Sequence, residues 1–417
     1  MKYAIIGYGN RGSLYAELFS ADKRAELAAV CDLKPVRLGH VQKNYGIAKE
    51  KCWLSEEEFF KQGKLADLLV VSTPDAAHYR HAIAALRIGY DLLLEKPIAD
   101  SLDRCAEIYE LAKKLGRRVF VCHVLRYAPF FATIKRELES GKYGQLITAN
   151  LTENVAYWHQ AHSYVRGNWA DTKKSTPMIL AKCCHDLDIL SWLFGGTECK
   201  SVSSYGSLSF FNRAHAPAEC ADYCFECPLK ETCAYSCLRF YCNPENRWWL
   251  AGLDWCDPNG TDADVAKALE NKDCPYTRCV FKCNNDAVDH QVVNLLFENG
   301  ATAHLTMTAF TDKCYREIHL HCTNGDISGN MESSKITFNV FGGESRTVDV
   351  SLTEDTEYGH GGGDAKLVLD VISVYEGGEC KGLTSIEESF ASHCIGYAAE
   401  KSRLKEGATQ KVKRLGK

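Results

Sequence analysis

The first 34 residues, Met1 to Lys34, constrain this chain more than any other stretch. An apolar run, Tyr3 to Ile6, leads into Gly7-Tyr8-Gly9-Asn10-Arg11-Gly12. A helix-period segment follows (Leu14, Tyr15, Leu18, Phe19), then a second apolar run, Leu27 to Cys31, and then Asp32. Strand, glycine turn, helix, strand and acid in this order form a βαβ unit suited to a dinucleotide. Gly7 permits the tight turn, Gly9 lets the backbone approach a pyrophosphate, and Gly12 lets the helix pack close to the sheet. Tyr8, Asn10 and Arg11 complete the loop, and the helix N-terminus offers unpaired N–H donors to phosphate. Asp32 suits the adenosine ribose hydroxyls and repels a 2′-phosphate, which favours NAD(H). Lys34 and Arg37, just beyond, soften that preference and leave NADP(H) open.

With 417 residues the chain suits two domains. Hydrophobic residues at 46%, charged residues at 25% and a net charge of −5 are ordinary for a globular protein and give no basic footprint for nucleic acid. No apolar run approaches the roughly 20 residues that span a bilayer, and the first residues lack a signal-peptide pattern. The expectation is a cytoplasmic protein without nucleic-acid or membrane partners.

Beyond Asp32, helix and strand alternate. Helical period over Val36–Tyr45 and a short helix opening at Glu56–Glu58 precede a buried strand, Ala66–Val71, closed by Ser72-Thr73-Pro74. A helix over His78–Ile88, a strand Asp91–Leu94 ending in Glu95-Lys96-Pro97, a helix Leu102–Leu115 and a strand Arg118–Cys122 follow. Such alternation means a doubly wound parallel sheet, which binds ligands at the carboxyl ends of its strands. Ser72, Thr73, Pro74, His78, Glu95, Lys96 and Pro97 are therefore expected beside the cofactor.

Three segments, GYGNRG, VVSTPDAAHYRHAIAALRIGYDLLLEKPIAD and HDLDILSWLFG, resemble the glucose–fructose oxidoreductase / inositol dehydrogenase / rhizopine catabolism (Gfo/Idh/MocA) family of NAD(P)-dependent oxidoreductases. The resemblance implies an N-terminal Rossmann domain, residues 1–122, and a C-terminal α+β domain, residues 123–417. It also implies that Lys96 lies by the nicotinamide and hydrogen-bonds the reacting hydroxyl. An ammonium there would stabilise the alkoxide character that develops as hydride leaves. Within Pro177–Leu193, which reads as one helix with Lys182, His185 and Asp188 on one side, the family's acid/base histidine corresponds to His185. The family's usual aspartate four residues earlier is Ala181 here, and Lys182 is read as its replacement.

The second domain opens at His123–Pro129, with Arg126 as a candidate substrate residue, and continues through a helical Phe130–Ser140 and a strand-like Gln145–Glu153. The stretch Tyr157–Trp169 mixes aromatic and hydrogen-bonding side chains, as a sugar's CH patches and hydroxyls require. It reads equally as a solvated loop. Tyr157, His159 and His162 are its candidates, with Asp188 and His360, the latter in the glycine-rich Tyr358–Asp364, as further ones. Strand-like Ser201–Phe211, Ala287–Phe297, Ala301–Phe310 and Glu317–Cys322 predict a largely antiparallel open sheet, one face of which could serve substrate or subunit contact in a homo-oligomer, a dimer or tetramer. Ser385–Glu406 reads as an amphipathic helix.

Cysteine is over-represented, with 21 residues. Most sit singly in apolar contexts and read as core residues. Within an insertion at about 215–285, the run ECADYCFECPLKETCAYSCLRFYC has the short spacings of a thiolate metal site, with Cys224, Cys227 and Cys233 as ligands and zinc ahead of an iron–sulfur cluster. Unligated thiols are the equal alternative. The functional expectation is an NAD(H)-dependent oxidoreductase acting on a secondary alcohol of a sugar, inositol or related polyol. One rival is transient oxidation of a glycoside followed by elimination and re-reduction; another is a non-enzymatic nucleotide sensor, whose signature would be loss of the Lys–His pair.

Overall fold

The computed structural model describes residues 1–250, 261–352, 359–378 and 384–413, less the side chains of Trp248 and Leu250. The alternating N-terminal pattern folds into a six-stranded, wholly parallel sheet. Its strands are β1 (Lys2–Ile6), β2 (Glu26–Cys31), β3 (Cys52–Trp53), β4 (Leu68–Val71), β5 (Asp91–Leu94) and β6 (Val119–Val121), in the order β3-β2-β1-β4-β5-β6. Helices cover both faces, so β4 and β5 are buried along their whole length. The order reverses between β1 and β4, which opens a crevice at the carboxyl ends of those strands.

The second sheet has nine strands. They are β7 (Leu146–Asn154), β8 (Cys199–Ser207), β9 (His290–Phe297), β10 (Thr302–Thr308), β11 (Tyr315–Cys322), β12 (Gly325–Asn330), β13 (Lys335–Val340), β14 (Arg346–Asp349) and β15 (Gln410–Lys411), in the order β14-β13-β12-β11-β7-β10-β9-β8-β15. Every pairing is antiparallel except β7 with β10. Burial alternates along β9 and β10: one face packs on helices, and the other carries Asn150, Asn294, His304 and His319 outward. The antiparallel expectation therefore holds, and β12 to β14 extend it beyond the strands legible in the sequence.

Two departures from the sequence reading bear on the site. The segment Pro177–Leu193 is two helices, Met178–Ala181 and Cys184–Leu193, with the break at Lys182 and Cys183. The C-terminal helix Ile386–Arg403 is buried on most sides rather than amphipathic. Ile386, Phe390 and Cys394 pack into the core of the parallel sheet, while Ile395, Ala398 and Ala399 pack into that of the antiparallel sheet. The helix Gly363–Tyr375 likewise returns to the first domain, placing Leu367, Val368, Val371 and Ile372 beneath β1, β4 and β6 residues.

Because one helix serves both cores, Phe390→Ala is expected to lower the stability of the whole chain by about 3–5 kcal/mol. Urea unfolding followed by tryptophan fluorescence and by far-UV circular dichroism should show the two signals moving together. Loss confined to one signal would mean that the domains unfold independently.

Candidate active site

The glycine loop is packed to its limit on one side and open on the other. Gly7 has φ +91°, and a methyl group there would lie 2.7 Å from the Ser72 carbonyl oxygen; one on Gly12 would lie 2.1 Å from the Gly7 carbonyl oxygen. A methyl on Gly9 meets nothing closer than Arg37 Nη1, at 3.7 Å, so the space above Gly9 is free for a ligand. Asn10 leaves a buried Oδ1 without a partner at the start of the helix Asn10–Ser20, as a loop shaped around an absent polar group would. Asp32 closes the ribose side: it accepts from the Tyr8 N–H at 2.7 Å and the Lys34 N–H at 2.9 Å, with Arg37 3.3 Å away. The loop fits a dinucleotide.

The opposite wall is built by the ends of β4 and β5. Ser72 Oγ donates to the Gly7 carbonyl at 2.8 Å, and Thr73 Oγ1 lies 3.0 Å from His81 Nδ1. Pro74 caps the helix Asp75–Ile88. His78, 1% exposed, lies with both ring nitrogens 2.7 Å from carbonyl oxygens, those of Pro97 and Thr73, so it braces the two turns against each other. Glu95 is buried against Arg11 Nε at 2.6 Å and the Tyr15 hydroxyl at 2.8 Å.

Lys96 reaches out of this wall. Its Nζ donates to the Ala181 carbonyl at 2.8 Å and stands 5.9 Å from the centre of the Trp169 ring, which Asp75 holds through its Nε1 at 3.0 Å. The helix break explains the first contact: Ala181 ends a helix, and terminal carbonyls lack an intrahelical donor. His185 begins the next helix, 3% exposed, with its Nδ1 unpartnered and the rings of His123 and His360 at 5.9 and 5.4 Å. Burial, then the nearby Lys96 ammonium, holds the His185 imidazole well below its usual pKa, so it stays neutral. His159 is held down likewise, by burial and then by Lys182, with its Nδ1 3.8 Å from Cys314 Sγ.

The break sends the three residues expected on one helix side in different directions. Lys182 Nζ pairs with Glu153 at 3.2 Å, and Arg316 bridges Glu153 at 2.8 Å to Asp186 at 2.6 Å, a buried quartet of two cations and two anions. Burial works against the charge on Lys182, but Cys314 and Glu153 outweigh it and raise its pKa. Asp188 turns away from His185 and forms a two-bond pair with Arg126, at 2.7 and 2.8 Å, the two residues being 1% and 2% exposed. They lock the helix Cys184–Leu193 to the start of the second domain. Sequence reasoning missed Glu153, Asp186 and Arg316, whose pairing spans more than a hundred residues, and Trp169 as the ring beside Lys96.

The aromatic stretch is folded, not solvated. Residues Gln160–Arg166 form a wide helical turn roofed by the insertion. Tyr157 meets Tyr235, Trp158 stacks on Phe240, and Trp249 lies 5.1 Å from His159. His162 is bonded to the Tyr241 hydroxyl and stacked on Tyr276, inside that roof. His360 pairs with Asp364 and stands partly exposed beside His185; Tyr358, at the start of its glycine-rich stretch, lies outside the described residues.

The zinc expectation is corrected. Among the described residues no three histidine, cysteine, aspartate or glutamate side chains converge as an ion requires. Cys224, Cys227 and Cys233 line one small cavity with Cys220 and Cys279. Cys224 takes a hydrogen bond from Cys237 and lies 3.5 Å from the buried Arg166 guanidinium. The Cys237 bond, against the opposing effect of burial, brings the Cys224 thiol down to about 5. Short spacing brings the thiols near one another, and at Cys224 the partners are Cys237 and Arg166. Part of the insertion, residues 251–260, lies outside the described residues.

Two family models cover nearly the whole chain: the Gfo/Idh/MocA oxidoreductase family's NAD-binding Rossmann fold matches residues 1–123, and its C-terminal alpha/beta domain matches residues 135–410. The chain belongs to this family and is an NAD-binding oxidoreductase by class. Among its relatives, the putative oxidoreductase YteT of Bacillus subtilis is 24% identical over 83% of this chain and 82% of its own length. The scyllo-inositol 2-dehydrogenase (NAD(+)) of the same organism is 26% identical over 50% of this chain and 58% of that protein. In fold, the chain is similar to a levoglucosan dehydrogenase solved with NADH, at TM-score 0.72 and 18% identity over the full length of both. Among the described residues no helix is long and apolar enough to cross a membrane.

Asp188→Asn tests the buried pair. It leaves the buried Arg126 cation with the largely exposed Glu388, 3.5 Å away, as its carboxylate partner, and should cost about 3 kcal/mol in urea unfolding. Burial raises the Asp188 pKa, but Arg126 more than reverses this and leaves it depressed. Its stabilisation is therefore complete above the ordinary aspartate range and lost as pH falls through the lower folded value. The variant should show a shallower loss of stability in acid than the wild type; equal slopes would refute the pairing as a stabilising element.

Proposed function

We propose that this protein is an NAD(H)-dependent dehydrogenase acting on a secondary alcohol of a sugar, inositol or related polyol. The observation that carries this reading is the placement of Lys96 Nζ at the crevice end of β5, with a carbonyl as its hydrogen-bond acceptor and the neutral, buried His185 close by. A bound dinucleotide would supply the hydride acceptor. Gly7, Gly9 and Gly12 would admit its pyrophosphate, Asn10 would offer its orphaned oxygen, and Asp32 would take the ribose hydroxyls and favour NAD(H) over NADP(H).

Lys96 orients the substrate hydroxyl and stabilises negative charge on its oxygen, while His185 takes the hydroxyl proton. Lys182, paired with Glu153 in the charge-balanced quartet, supports the helix break that carries the Ala181 carbonyl. The partly exposed rings of Trp169 and His159 offer flat surfaces to a pyranose or cyclitol. The dehydrogenase names among the relatives, inositol 2-dehydrogenase and levoglucosan dehydrogenase, support the substrate class.

The test is reduction of NAD and of NADP, followed by absorbance, against a panel of inositols, sugars and glycosides. Lys96→Met should lower kcat/KM by about 10²–10⁴-fold while NADH still binds, measured by fluorescence titration. Because the His185 imidazole sits well below its usual pKa, it remains a competent base as the solution is acidified. The acid limb of kcat/KM for oxidation should therefore lie below pH 6.5, the ordinary histidine value. A limb at or above that value would count against His185 as the base, and an active Lys96→Met against Lys96 as the group that polarises the hydroxyl.

A further inference from the structure

Three buried imidazole nitrogens beside the crevice have no partner. His123, just past the end of β6, is 1% exposed, and among the described residues neither its Nδ1 nor its Nε2 makes a hydrogen bond; the third is Nδ1 of His185. A neutral imidazole carries one N–H and one lone pair, and leaving either unpaired out of solvent costs about 1–3 kcal/mol. Groups left in that state call for a function.

The surroundings of His123 decide which partner it can take. His393, with its ring centre 5.5 Å away, is already used up: its Nδ1 donates to the Ser389 carbonyl at 2.8 Å and its Nε2 accepts the Ile98 N–H at 3.0 Å. Asp188 Oδ1 lies 3.9 Å from His123 Nε2, too far for a hydrogen bond, but its charge favours the proton on that nitrogen and leaves Nδ1 to accept. What remains is His185, whose ring stands edge-on to that of His123 at 5.9 Å and 84°. Catalytic hydrogen bonds that are long in the free enzyme tighten once substrate is bound. Burial acts most strongly on His123 and brings its pKa down to about 4; Asp188 and Glu95 work against that effect, and Arg126 and Lys96 with it. His185 is depressed by burial and then by Lys96, so a proton taken there is readily given up.

The dehydrogenase reading, on which this inference rests, delivers one hydroxyl proton to His185 in each turnover. We propose that His123 is a positioning and relay residue behind His185: it fixes the Nδ1–H tautomer of that imidazole and takes the Nδ1 proton as the hydroxyl proton arrives on Nε2. As hydride leaves the substrate carbon for the dinucleotide, the O–H bond breaks, its electron pair closes the C=O bond, and its proton binds the lone pair of His185 Nε2. The His185 Nδ1–H bond then breaks and that proton binds the lone pair of His123 Nδ1. His185 ends neutral with its proton moved from Nδ1 to Nε2, and the positive charge stands on His123, facing Asp188. Reduction of the ketone runs the same steps backward.

Two measurements on the full chain test this, and the first needs no substrate. With the protein saturated with NADH and its histidines ¹⁵N-labelled, long-range ¹H–¹⁵N NMR reads the tautomer of His185, assigned by loss of its signals in His185→Asn. The wild type should carry Nδ1–H with Nε2 bare, and His123→Ala should lose that preference. In the second measurement, oxidation of the alcohol that the panel identifies, His123→Ala should lower kcat about 10²-fold with unchanged NADH affinity, and added imidazole should recover about 10-fold of it. His123→Gln keeps a hydrogen-bonding group beside Asp188 but cannot carry a proton, so it should be as slow as His123→Ala; a merely structural role would be met by it. A wild type with Nε2–H, an unchanged tautomer in His123→Ala, wild-type kcat in His123→Gln, or a loss that imidazole does not recover overturns the proposal. If no alcohol is oxidised while His185 shows the His123-dependent Nδ1–H tautomer, the dehydrogenase reading falls and the positioning role stands; oxidation undiminished in both His123 variants does the reverse.

Discussion

The Arg11 guanidinium holds the site together. It projects from the glycine loop and reaches Glu95 at 2.6 Å, the Tyr15 hydroxyl at 2.5 Å and Asp364 at 2.5 Å. These partners come from the end of β5, from the helix that follows the glycine loop, and from the start of the helix Gly363–Tyr375, 353 residues further along the chain. One cation therefore fixes the position of the cofactor loop, of the turn carrying Lys96 and of the loop carrying His360. Removing it would leave two buried carboxylates facing each other, a cost that desolvation makes far larger than that of an exposed pair.

The same logic of closed charge recurs deeper in the second domain. Lys182, Glu153, Arg316 and Asp186 balance one another, as do Arg126 and Asp188. Around the crevice, each of these cations is held by a carboxylate, whereas Lys96 Nζ is held by the neutral Ala181 carbonyl. An ammonium hydrogen-bonded to a neutral carbonyl, with Glu95 as the neighbouring carboxylate, can still stabilise negative charge that develops within its reach.

The half of the site that is legible in the sequence is the half whose contacts are local. Gly7 to Asp32 lie within one βαβ unit, and their spacing is set by turn and helix geometry, so pattern alone locates them. Lys96 is legible because a strand end and the Glu-Lys-Pro resemblance coincide. The expectation of one helix over Pro177–Leu193 has the right apolar period but no means of seeing the break at Lys182, since nothing in PMILAKCCHDLDILSWL is a glycine or an internal proline. At the break, Lys182 makes a tertiary pair with Glu153, a contact the local pattern does not encode. Cysteine spacing likewise reports proximity, which the structure shows, and cannot report partners, which at Cys224 are Arg166 and Cys237.

Among the described residues, no carboxylate is bonded to His185, whereas His360, 5.4 Å away in ring separation, is bonded to Asp364. A carboxylate bonded to an imidazole both orients it and stabilises its protonated form, so moving the carboxylate moves the basicity. Burial and the nearby Lys96 ammonium keep the His185 imidazole neutral. Burial lowers the His360 pKa as well, and the bonded Asp364 opposes that effect.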